Sequence, residues 1–158
     1  MKKIKNIGLL LFLTLSTLSF SYQVNYDDVV DIVLRNYPQS RVTKIEISNY
    51  KGKTVYEGET FYKGQKIEFI IDVNTSEVYR MEPNYDDEYS SNYNLPISFE
   101  QASKIALDNS FNGKVKSIEL KNIDKKAYYV VEVRENKAEK EINIDANSGK
   151  ILNIKESM

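Results

Sequence analysis

The chain of 158 residues contains no cysteine, no histidine and no tryptophan. Without cysteine there is no disulfide to staple a small fold, so stability must come from core packing. The same absences remove thiolate nucleophiles, imidazole bases and the usual zinc ligands. Glycine and proline are scarce, at six and three residues, which rules out collagen-like and flexible low-complexity chains. Hydrophobic residues make up 41% and charged residues 28% of the chain, the balance of a globular protein rather than a disordered one. We find no phosphate loop, no aromatic and basic nucleic-acid surface and no cofactor motif, so no cofactor is expected.

Apolar residues run unbroken only at the start. Lys2, Lys3 and Lys5 precede a largely apolar stretch from Ile7 to Leu18, and Ser19 and Ser21 flank Phe20. A basic start, a short apolar run and a small-x-small site are the signature of a secretory signal peptide cut after Ser21. The run is short of the about 20 apolar residues that span a bilayer, so cleavage rather than anchoring is expected. No cysteine stands at the cut site to carry a lipid. The three lysines then leave with the signal, and 19 basic side chains face 23 acidic ones, a net charge of −4. Neither nucleic acid nor an anionic membrane is a natural partner for such a chain.

What the remainder contains is a duplication. Shifting the second half back by 73 positions aligns Val24 to Glu82 with Ile97 to Lys155 without a gap. Ile45 meets Ile118, Tyr56 meets Tyr129, and Asp72 meets Asp145. Residues 1–21 are therefore assigned to the signal peptide, 22–82 to a first module, 83–96 to an acidic, tyrosine-rich linker and 97–158 to a second module.

Each module opens with a helix. Ser98 and Gln101 have the spacing of a capping box, and Phe99, Ala102, Ile105, Ala106 and Leu107 recur at helical intervals. Asn25 is the cap in the first module, with Tyr26, Val29, Val30, Val33 and Leu34 as the apolar stripe and Pro38 as the stop. Four strands follow in each copy: 41–48, 54–62, 66–73 and 77–81, then 114–121, 127–134, 139–145 and 150–154. Short turns between them imply antiparallel pairing. The expected fold is α+β, two tandem modules of one helix packed on a four-stranded antiparallel sheet.

The entry 97–106, Ile-Ser-Phe-Glu-Gln-Ala-Ser-Lys-Ile-Ala, the strand 128–133, Tyr-Tyr-Val-Val-Glu-Val, and the ending 144–152, Ile-Asp-Ala-Asn-Ser-Gly-Lys-Ile-Leu, resemble the PepSY domain. That module occurs in propeptides of secreted metallopeptidases and in small bacterial envelope proteins. The first copy departs from the pattern at Ser76, where the ending usually has glycine, and at Gly58, expected to interrupt its second strand. The resemblance implies an extracytoplasmic location, a helix on an antiparallel sheet, and a role in binding or restraining a peptidase. It offers no catalytic residues. The two-copy arrangement also resembles secreted inhibitors of β-lactamase in architecture.

Alternation along the strands directs Ile45, Ile47, Tyr56, Ile67, Phe69 and Ile71 toward the helix. It directs Lys44, Glu46, Glu57, Glu59, Glu68 and Ile70 away, with Glu119, Val130, Glu132, Glu141 and Asn143 on the equivalent face of the second copy. Glutamate thus recurs at three matched positions, Glu46/Glu119, Glu59/Glu132 and Glu68/Glu141. The plain reading is a solvated charged face; the functional reading is a docking surface for a protein partner. Tyr85, Tyr89 and Tyr93 in the linker are further candidate contacts, because tyrosine offers large area at low entropic cost. Asp145, Asn147 and Glu156 begin like a calcium loop, but its sixth position is Lys150 where glycine is needed. A strand-joining turn is the expected reading, and no metal or catalytic residue is assigned. The function expected is non-catalytic binding outside the cytoplasm by occlusion or docking, with a self-associating envelope scaffold or sensor component as the alternative.

Overall fold

The computed structural model describes residues 23–88, 95–123, 126–136 and 138–157. The segment expected to be a signal peptide lies outside them. The order is α1 (Tyr26–Asn36), β1 (Arg41–Tyr50), β2 (Lys53–Tyr62), β3 (Gln65–Asp72), β4 (Val78–Glu88), α2 (Phe99–Asp108), β5 (Lys114–Ile123), β6 (Lys126–Glu135), β7 (Ala138–Asp145) and β8 (Ile151–Ser157).

Both helices begin with capping boxes. The Ser98 hydroxyl accepts from the Gln101 N–H, and the Ser98 N–H donates to the Gln101 side chain at 2.9 Å. Asn25 and Asp28 do the same for α1. Two otherwise orphaned N–H groups are satisfied at each helix start.

The two sheets expected from the sequence are one. The eight strands follow the order β4-β3-β2-β1-β5-β6-β7-β8, antiparallel throughout. Each module leaves its first strand at an edge, and edges carry unpaired backbone groups that seek a partner. Here β1 and β5 supply each other: Ile45 stands opposite Ile118, flanked by Lys44 opposite Glu119 and Glu46 opposite Ser117. Since Ile45 and Ile118 are equivalent under the 73-residue shift, the modules are related by a pseudo-twofold axis through this pair. Both helices consequently lie on one side, over a single core that joins Val29, Val33, Ile45 and Phe69 to Phe99, Ala106, Ile118 and Ile142. The symmetry extends to polar detail. The hydroxyl of Tyr56 donates to Val24 O, and that of Tyr129 donates to Ile97 O. Burial pushes the Tyr56 hydroxyl up to about 12, with the charges of Glu100 and Asp28 adding to the rise.

Four details differ from the sequence reading. β4 does not end at Met81 but continues to Glu88, entering the segment read as linker; Ile67 opposes Pro83 and Gln65 opposes Glu88. Pro83 is tolerated because β4 is an edge strand, where a missing donor can face outward. Gly58 does not interrupt β2: it pairs with both Ile45 and Phe69. Ile47, expected in the core, is 42% exposed, two residues along β1 from the pair at the axis. Ile70, expected in solvent, is 1% exposed although it points away from the helices. It lies on an interior strand, directly opposite Glu57 on one side and Arg80 on the other.

Candidate interaction surface

One face of the sheet carries both helices. The opposite face is eight strands wide, and the matched glutamates lie on it. Glu59 stands directly across from Glu68, and Glu132 from Glu141, in the same register of each copy. Like charges opposed across a ladder are unfavourable unless cations intervene, and each of the six has one. Lys44 reaches Glu46 at 2.7 Å, Lys66 reaches Glu59 at 3.8 Å and Arg80 reaches Glu68 at 2.8 Å. In the second copy Lys121 reaches Glu119 at 3.2 Å, Lys116 reaches Glu132 at 3.7 Å and Lys155 reaches Glu141 at 3.4 Å. The face is a lattice of opposite charges rather than an acidic patch.

Lys44 sits at the junction of the copies, opposite both Glu59 on β2 and Glu119 on β5. Burial by itself would lower its ammonium. Its hydrogen bond to Glu46 and the charges of Glu46, Glu59 and Glu119 outweigh that and raise it above its ordinary value. Beside it, Glu46, Glu57, Glu59, Glu68 and Arg80 line a shallow depression of 220 Å³. The second copy has Ser117, Val130 and Asn153 where the first has Lys44, Glu57 and Arg80, so this depression has no charged counterpart at those three positions. These carboxylates stand on an open face beside cations, not in the cleft where a glycosidase-type acid works.

Of the linker tyrosines, Tyr85 lies in β4, with its side chain outside the description, and Tyr89 and Tyr93 fall outside the described residues. A different tyrosine pair forms the aromatic cluster here. Tyr50 stacks on Tyr79 at 5.8 Å, and the Tyr79 hydroxyl donates to Asp72 Oδ2 at 2.7 Å while accepting from Lys53 Nζ at 2.6 Å. Strand alternation alone does not find this cluster. The signal for it was asymmetry between the copies, since Ile123 and Leu152 replace Tyr50 and Tyr79 in the second.

The aspartates of the suspected calcium loop serve turns. Asp145 Oδ1 accepts from the N–H groups of Asn147 and Ser148, and Asp72 Oδ1 from those of Asn74 and Thr75. Gly149 follows with a φ of 72°, and Ser76 adopts 63° in the first copy, which is how the turn closes without its glycine.

The profile of the family described as "Peptidase propeptide and YPEB domain", PepSY, matches the chain twice, over residues 23–82 and 96–155. The crystal structure of a Clostridium difficile 630 protein described as a "putative lipoprotein" is similar to this chain with a TM-score of 0.62. It shares 22% identity, and the alignment covers 86% of this chain and 95% of that one. At that identity the likeness establishes the fold alone. No curated protein matches the chain.

Proposed function

The chain belongs to the PepSY family, and from that premise we propose that it is an extracytoplasmic, non-catalytic protein that binds a peptidase and restrains it. The observation that carries this reading is the face that no described element covers, where a duplicated module offers one continuous eight-stranded surface with matched glutamates in each half. Exposed ion pairs are worth only about 0–1 kcal/mol each, so exchanging an internal partner for an external one costs little. Glu46, Glu59, Glu68, Glu119, Glu132 and Glu141 set the register of the partner in this way. Affinity comes from aromatic contacts, to which Tyr50, Tyr79 and the linker residues Tyr85, Tyr89 and Tyr93 contribute. The bound peptidase is blocked sterically. Delivery across the membrane is by the signal peptide, Met1 to Ser21.

The test is a crosslinking pull-down with the tagged mature chain, Tyr22 onward, from the protein's own secreted and envelope fraction. Capture of a peptidase supports the reading. A fraction that yields no partner, while the bait remains folded, sinks it.

A further inference from the structure

The sheet ends in two edges, and they are not alike. β4 contains Pro83 and closes with Asp86, Asp87 and Glu88, two standard means of discouraging another strand. β8, Ile-Leu-Asn-Ile-Lys-Glu-Ser, also carries charge at Lys155 and Glu156 but has no proline, and Leu152 and Ile154 on it are 54% and 42% exposed. Ile154 stands opposite the fully buried Ile142, on the helix side. Its exposure therefore comes from lying on the last strand rather than from facing solvent by design.

We propose that β8 pairs antiparallel with β8 of a second copy, with Ile154 opposite Ile154 on the dimer axis. This goes beyond the peptidase-binding reading and does not depend on it. The chain already contains the precedent: β1 and β5 join two module edges about an isoleucine pair with polar residues on either side, and only three residues of each strand are paired. Centring β8 on Ile154 reproduces that pattern, with Asn153 opposite Lys155 and Leu152 opposite Glu156 and no like charges opposed. Centring on Lys155 would set two ammonium groups against each other. Centring on Asn153 would need Ile151 and Leu152, where the ladder is irregular. A twofold axis perpendicular to the sheet keeps all four helices on one side and continues the sheet to sixteen strands. Five residues per strand bury less than the about 1,200 Å² of a stable complex, so the dimer is weak and concentration-dependent.

Because the chain has no cysteine, the register can be read covalently. Directly opposed residues in an antiparallel pair have Cα atoms about 4.5–5.5 Å apart, within the span of a disulfide. Under mild oxidation Ile154→Cys should form a disulfide-linked dimer at least tenfold faster than Leu152→Cys, whose own counterpart lies four residues out of register. In sedimentation, the wild-type chain should shift toward dimer as protein rises to millimolar concentration. Ile154→Lys and Asn153→Pro should abolish the shift while keeping the far-ultraviolet dichroism of the folded chain. Ile47→Lys, equally exposed in the parent chain but off the edge, should retain it. A wild-type chain that stays monomeric throughout, equal crosslinking at 152 and 154, or a dimer that survives both edge variants would overturn the proposal.

Discussion

Asp27 and Glu100 occupy equivalent positions in the two copies, and each accepts a hydrogen bond from the backbone at the start of the other's helix. The Glu100 N–H donates to Asp27 Oδ1 at 3.3 Å, and the Tyr26 N–H donates to Glu100 Oε2 at 3.3 Å. The Ser98 hydroxyl adds a third bond, to Asp27 Oδ2 at 3.0 Å. Each carboxylate lies near a helix N-terminus, where the dipole favours negative charge. The pair thus couples the modules on the helix side, as Ile45 and Ile118 couple them in the sheet.

Asp27→Ala and Glu100→Ala should each cost about 1 kcal/mol in urea unfolding, the usual loss for a removed cap. The double variant should depart from additivity by about 0.5 kcal/mol or more. Strict additivity would mean that the two cross-module bonds act independently rather than as one network.

Gly58 and Phe69 pair in the first copy where Val131 and Ile142 pair in the second. A Cβ on Gly58 would collide with the Phe69 ring and with the Lys44 carbonyl, so the larger ring occupies the room that the missing side chain leaves. Gly58→Val should therefore destabilise by about 3 kcal/mol through overpacking. Adding Phe69→Ile, which recreates the second copy's pair, should recover about 1 kcal/mol or more of that in thermal unfolding. No recovery would place the conflict in the strand backbone alone.

The hydrogen bond from Tyr79, followed by those from the backbone of Asn74 and Thr75, pulls the Asp72 carboxyl down to about 2, against an ordinary value of about 3.9. Its folded pKa is depressed, so the stability it contributes is present above pH 4 and is lost as pH falls through 2. Urea unfolding between pH 4 and 2 should show a shallower loss for Asp72→Asn than for the wild type. Tyr79→Phe should raise the Asp72 titration midpoint in carbon-detected NMR. An unchanged midpoint would remove Tyr79 as the dominant cause.

Most of the fold was legible because the duplication doubled every local signal. The caps at Asn25 and Ser98 stand where the spacing predicts, and strand alternation separated Ile45, Phe69 and Ile71 from Glu46, Glu59 and Glu68. The joining of the sheets was not legible, because strand pairing between modules leaves no local period: Ile45 reads as a core residue with or without Ile118 beside it. The length of β4 was hidden by Pro83 and the acidic run, which signal a loop unless the strand lies at an edge. Ile70 misled because alternation reports the face of a sheet and not what the neighbouring side chains cover. On the surface, the glutamates were found at their positions, but their pairing with Lys66, Arg80, Lys116 and Lys155 depends on register across strands. The Tyr50 and Tyr79 stack depends likewise on contact between residues 29 positions apart.

The most direct test of the central claim is a titration of peptidase activity in the secreted and envelope fraction with the mature chain, alongside a variant carrying Glu59→Lys and Glu132→Lys. Saturable loss of activity with the wild-type chain, weakened at least tenfold in the folded variant, is the result that binding through the uncovered face predicts. Activity that is unaffected by the wild-type chain would contradict restraint of a peptidase, and equal inhibition by the variant would move the contact off this face.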